Sequence, residues 1–276
     1  MADRGYGMML GKVAVGVCAV MLLGGAAVAQ MAPPSETVAT LMQHERSATE
    51  HRGLYTYVSK ERSERTGGRL WTERVAETRV GKVRFLLAED GVPLSPERVA
   101  QERGRLAGIV ADPGAFAKKE EALRNDEAKA KQMLELLPKA FLFENARMEG
   151  AYERIDYKSN PAYAPQNLEE RVLHGMVGSM LVEPKTVRLR RLEGRLPEDV
   201  SIGFGLLATI HAGSRFVTER APQASVEWKT TLIDTDINGR AIFFKAISRQ
   251  QHSEHSDFRE IPGDTSVAQA VAIVEQ

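Results

Sequence analysis

The 276-residue chain contains one cysteine, Cys18. A single thiol can form no internal disulfide, so the fold rests on burial and hydrogen bonding alone. Charge of one sign is equally lacking: 37 Lys and Arg balance 37 Asp and Glu, which leaves nothing to draw the chain to nucleic acid or to an anionic membrane surface. Aromatic residues make up only 6 %. Catalytic signatures are also scarce. No Gly-x-Ser-x-Gly elbow occurs. The helix-like "HERSA" of His44–Ala48 begins as a zinc-protease motif does, but Ala48 stands where the second histidine is needed. His44 and His51 lack a third ligand, and His252 and His255 in "HSEH" fall on opposite faces of a strand. These absences leave no metal centre and no cofactor site to name, and they favour a binding protein over an enzyme.

What is present begins with a leader. Arg4 and Lys12 precede an apolar run from Val13, and Ala27 and Ala29 occupy the small-residue positions of a cleavage site after Ala29. This is the pattern of a secretory signal peptide, with an uncleaved anchor as the competing reading. Cleavage removes Cys18 together with Arg4, Lys12 and Asp3, so 35 basic residues then face 36 acidic ones. A thiol-free exported chain fits a periplasm, and a monomer is expected.

Hydrophobic period divides the rest. Ser35 opens a helix with Val38, Leu41 and Met42 on one face. From Leu54 the period shortens to that of strands, with turns at Thr66–Gly68 and Gly81-Lys82, which predicts a three-stranded antiparallel meander. Ser95-Pro96 and Asp112-Pro113 then open two helices in an insertion at about 93–138. The second helix pairs Glu120 with Arg124 and Glu127 with Lys131 at i,i+4, and its apolar residues Phe116, Leu123, Ala130 and Leu137 form a narrow stripe. Such a helix lies over the sheet with most of its surface in water; a coiled-coil partner arm is the alternative. Strands resume at Ala140 and continue to about Glu260, with a turn read at Asn238-Gly239, and residues 266–276 form a short helix or a frayed tail. The fold class is α+β in one domain, residues 30–265.

The segments "NPAYAP", "RVLHGMVGSMLVEPKTVRLRRLEGRL", "DVSIGFGLLATIHAGSRF" and "WKTTLIDTDINGRAIFFKAISRQQHSEHSDFRE", with "EDGVPLS" earlier, resemble an uncharacterised bacterial secreted family related in fold to the LolA-like outer-membrane lipoprotein-sorting proteins. The resemblance covers about residues 50–260. It implies an open antiparallel β half-barrel of about ten strands with covering helices, and a lipid or an acylated protein as cargo. A carrier's functional residues have no one-to-one match here.

Between Ser201 and Phe216 lies the most apolar run outside the leader. Its length, His211 and Arg215 exclude a membrane span. Its glycines lack the parallel strand and following helix of a dinucleotide loop. Read as a strand, it places Val200, Ile202, Phe204 and Leu206 on one face. Ile202, Phe204 and Leu206 are ordinary core on one reading; on the other they line an acyl cavity with Phe216, Trp228 and Phe244. Arg191, in "RLRR", is a headgroup candidate if it points inward and no acid pairs with it. The expected function is a non-enzymatic, periplasmic carrier or binder of lipid or lipoprotein acyl chains. The alternatives are an envelope-stress sensor that binds peptides and a membrane-bound partner, and an envelope hydrolase.

Overall fold

The computed structural model describes residues 32–50, 52–202, 208–223, 227–241 and 245–276. The expected leader falls outside them, as do Phe204, Leu206 and Phe244; for Ile202 the backbone alone is described. Among the described residues no helix is long and apolar enough to cross a membrane.

Helix α1 (Pro34–Glu50) precedes a meander of β1 (Leu54–Ser63), β2 (Trp71–Glu77) and β3 (Lys82–Glu89), followed by the two-residue β4 (Val92–Pro93). Two proline-led helices come next, α2 (Pro96–Ala111) and α3 (Pro113–Glu135). Their caps are the expected ones: the Arg98 amide donates to Ser95 Oγ at 3.3 Å and the Ala115 amide to Asp112 Oδ1 at 2.8 Å. A short α4 (Leu137–Ala140) leads into β5 (Phe141–Glu149) and β6 (Tyr152–Ser159), and α5 (Leu168–His174) follows. The remaining strands are β7 (Val177–Glu183), β8 (Arg188–Arg195), β9 (Val200–Ile202), β10 (Ala208–Ile210), β11 (Arg215–Gln223), β12 (Glu227–Ala241) and β13 (Lys245–Ile261). The tail is a helix, α6 (Val267–Val274), closed by a capping box of Ser266 and Gln269.

All thirteen strands join one open antiparallel sheet in the order β4-β3-β2-β1-β13-β12-β11-β8-β7-β6-β5, with β10 beside the end of β12 and β9 beside β10. This is an open half-barrel with covering helices, three strands richer than expected. The difference lies in the short strands, which periodicity cannot resolve in so few residues: β4, and the division of one expected strand into β9 and β10. The Ser201–Phe216 run is not one strand. Ala208 pairs antiparallel with Ile202 and Ile210 with Val200, so the chain reverses between β9 and β10. Nor do Asn238 and Gly239 form a turn. They lie inside β12, opposite Ser248 and Ile247, and the glycine is needed for close approach: a Cβ there would stand 2.5 Å from the Thr209 carbonyl oxygen of β10.

Helices pack on opposite faces at the two ends of the sheet. At the β5–β8 end, Val38, Leu41 and Met42 of α1 cover Phe141, Ile155, Met180 and Leu192. At the β1–β3 end, α2, the first turn of α3 and α6 cover Ala76, Val83 and Phe85, with Leu106 and Val274 fully buried. The insertion is therefore more than a cover, since Leu106 and Phe116 sit in one core and Leu137 in the other.

One row of directly opposed residues shows what happens between these cores. Residues facing each other across a ladder share a face. From the α1 side the row reads Ile155, Met180, Leu192, Thr218, Ile233, Ser253, Glu61 and Trp71. The inner face thus begins as a closed apolar core and becomes polar as it crosses to β1.

Candidate functional site

Strand alternation builds the polar end of the inner face. Tyr55, Tyr57 and Ser59 of β1, Glu73, Val75 and Glu77 of β2, and Lys82, Arg84 and Leu86 of β3 share that face through their register. Glu73 and Glu77 are only 3 % and 5 % exposed, so these carboxylates are interior groups and not the solvated outer face that their Lys and Arg neighbours suggest. Burial of a charge requires partners. Glu73 accepts from Arg65 of the β1–β2 loop at 2.5 Å. Glu77 accepts from Arg52 at 2.7 Å and from the Tyr55 amide at 3.1 Å.

Lys229 of β12 completes this group. Its ammonium is 3.9 Å from the centroid of the Tyr55 ring, 3.2 Å from Glu227 and 3.6 Å from Glu77. Burial holds the Lys229 amine below its ordinary range, against the pull of Glu77 and Glu227. Burial and the neighbouring Glu227 carboxylate push the Tyr55 phenol up to about 12. Glu227 itself is lowered: burial works upward, but the Gly53 amide at 2.6 Å and Lys229 outweigh it. Next along the same face, His255 stands beside Tyr57 with ring centroids 5.1 Å apart and hydrogen-bonds the Thr230 carbonyl through Nδ1. Burial lowers its pKa.

Beside this group, α3 and the β2–β3 turn enclose a cleft of about 200 Å³. Its cations are Arg52, Arg79, Lys82, Arg84 and Arg124; its carboxylates are Glu77, Glu120 and Glu127; Leu54 and Leu123 give it apolar walls. The i,i+4 pairs expected on α3 yield to tertiary ones. Glu120 accepts from the Lys82 amide at 3.0 Å and pairs with Arg84 at 3.3 Å, and Glu127 pairs with Lys82 at 2.5 Å. Arg124 donates instead to the Val80 carbonyl. Gly81 permits the contact, because a Cβ at that position would meet Glu120 Cγ at 2.4 Å.

The described members of the expected acyl cavity are not gathered into one site. Phe216 packs across Gly194, where a Cβ would lie 2.6 Å from its ring, and joins the apolar core under α1 as well as the small cluster of Met176, Leu196 and Ile210. Trp228 is buried six positions further along the β11 ladder, opposite Pro222, with its carbonyl accepting from Arg220 at 2.8 Å. Six residues of strand is roughly 20 Å. Arg191 pairs with Glu193 at 2.8 Å and Glu219 at 2.7 Å, so the condition that would free it for a headgroup is not met. Arg188, in the same "RLRR" run, is 9 % exposed and bridges at 2.9 Å to Glu45 of α1, which also binds Arg220. His252 contacts Asp234 and Glu254, away from His255, and among the described residues no three His, Cys, Asp or Glu side chains form a metal-binding group.

Sequence reasoning missed the Lys229–Tyr55–Glu77 group and the Glu45 bridge. A signal was available in "WTERVAE", where alternation puts Glu73 and Glu77 on the side of Val75, the buried side of a half-buried strand. Fold and site together define a class: an α+β protein whose open antiparallel sheet carries a buried, charge-paired inner face. Similarity adds nothing to that description, since no protein-family model matches the chain and neither a curated protein nor a solved structure matches it.

Proposed function

We propose that the protein is an exported, non-enzymatic binder of an amphiphilic ligand, with a lipid or lipoprotein acyl chain as cargo, built on the same plan as the lipoprotein-sorting proteins that its sequence resembles. One observation supports the acyl reading. Ile202 pairs with Ala208, Ala208 with Ala241, and Ala241 with Lys245, so four strand ends stand side by side in the sheet. Two connecting sequences start and finish at those ends, "GFGLL" at 203–207 and "IFF" at 242–244, and neither contains a polar side chain. Hairpin connections are ordinarily built from Gly, Asn, Asp, Ser and Pro. Sequences of this apolar composition next to paired strand ends fit a hydrophobic ligand, which gains about 0.8 kcal/mol per buried CH₂.

The reading is tested by Phe204→Asp combined with Phe244→Asp and titration with a fluorescent fatty acid. The expected result is loss of binding by about tenfold or more, given the cost of a charge in an apolar site, with the thermal midpoint kept. Undiminished binding by the folded double variant counts against it.

A further inference from the structure

The cleft between α3 and the β2–β3 turn carries five cationic side chains against three carboxylates. Each carboxylate is already engaged: Glu77 by Arg52, Glu120 by Arg84 and the Lys82 amide, and Glu127 by Lys82. The excess of two positive charges resides on Arg79 and Arg124. Their described hydrogen bonds go to backbone carbonyls, Arg79 Nε to Gly263 at 3.0 Å and Arg124 Nη1 to Val80 and Ala117. A carbonyl orients a guanidinium without neutralising it, and each guanidinium has five N–H donors, so both keep donors to spare. Lys82 stays charged as well: burial works downward, but its interactions, Glu127 among them, raise its pKa overall. The volume, about 200 Å³, is below the roughly 300–1,000 Å³ of pockets for drug-sized ligands and suits a compact group.

We propose that this cleft is a binding site for a dianionic phosphoryl group, with Arg79 and Arg124 as its forked donors and Lys82 as a supporting charge. Two surplus cations match a dianion in charge, and guanidinium forks match its oxygens in geometry. Leu54 and Leu123 offer an apolar wall to whatever the phosphoryl group is attached to. The group is supplied either by a soluble phosphate or by a lipid whose headgroup is a phosphomonoester, as in phosphatidic acid. The inference stands apart from the acyl reading, because it uses a different part of the molecule.

The test is calorimetric titration of the purified protein with inorganic phosphate at low ionic strength, where screening is weak, alongside co-sedimentation with phosphatidylcholine vesicles that contain or lack phosphatidic acid. The variants are Arg79→Gln/Arg124→Gln, Leu123→Glu, which adds a carboxylate to the wall while sparing every ion pair, and Arg103→Gln on the exposed side of α2 as the control. Saturable binding by the native protein that weakens about tenfold or more in both cleft variants, and is unchanged in the control, is the expected result. Response to free phosphate assigns a soluble source; response only to phosphatidic acid vesicles, with the same variant pattern, assigns a headgroup. Failure of the native protein to bind either probe, or binding that both folded cleft variants retain, overturns the site. Loss of phosphate binding with fatty-acid binding intact, or the reverse, separates this proposal from the acyl one.

Discussion

Glu45 sits near the end of α1, about a fifth exposed, and holds Arg188 of β8 and Arg220 of β11 at once. Removing the carboxylate leaves two guanidiniums facing each other, so Glu45→Gln is expected to cost about 3 kcal/mol, the low end for breaking a buried pair. A urea titration read by circular dichroism checks this; a loss within experimental scatter would show the bridge to be ornamental. Its pKa is lowered from 4.5: burial works upward, but Arg220 and Arg188 prevail. The stability it lends is therefore full above about pH 4.5 and is lost as pH falls through the lower folded-state value. His255 has the same sign in a different window. Burial lowers it from 6.5, with Lys82 adding to that and Thr230, Glu61 and Glu77 opposing. The folded protein holds fewer protons there than the unfolded chain, so stability falls as pH drops below about 6.5. His255→Gln is expected to flatten the stability profile between pH 7 and the onset of carboxylate titration. An unchanged slope in the variant would assign that window to other groups.

At the scale of elements, α3 is held to the sheet by charge as much as by apolar packing. Phe116 is buried, whereas Leu123 is 39 % exposed and the contact beyond it runs through Glu120, Arg124 and Glu127. Gly81→Ala places a methyl group against Glu120 and is expected to push α3 outward at a cost of about 1–3 kcal/mol. Hydrogen exchange should then quicken across α3 while the β2–β3 ladder stays protected. Equal protection in the variant and the native protein would mean that the gap closes without moving the helix. Much at this scale was legible in the sequence, because caps and prolines are local: Ser95-Pro96, Asp112-Pro113 and the Gly67–Gly68 turn lie where their chemistry places them. Asn238-Gly239 was misread because a tolerance for close approach and a preference for turns share the same residues. The i,i+4 pairs on α3 failed for a related reason: a partner from another strand outcompetes a neighbour on the same helix.

At the scale of the whole molecule, the strands and their antiparallel meander were legible from alternation and turn spacing, and the open half-barrel was what the family resemblance implied, but the distribution of charge over the two faces of the sheet was not legible. Sequence alternation shows that Glu73, Val75 and Glu77 share a side; only the assembled sheet shows that Arg65 from the adjoining loop, Arg52 from before β1 and Lys229 from distant β12 keep those acids paired. The candidate site is long-range for the same reason, since Lys229 and Tyr55 are brought together by the β1–β13–β12 order of the sheet. Apolar cores hold the two ends of the half-barrel, and the inner face turns polar toward β1; a hydrophobic ligand is proposed for the sequences 203–207 and 242–244, and a phosphoryl group for the cleft at α3. The central claim is that this sheet carries an amphiphilic ligand. Native mass spectrometry of the protein, purified without detergent and then incubated with phospholipids and fatty acids, tests it most directly. The account predicts a stoichiometric mass addition that organic extraction releases as a lipid or acylated species; an apo mass that stays unchanged after incubation would contradict it.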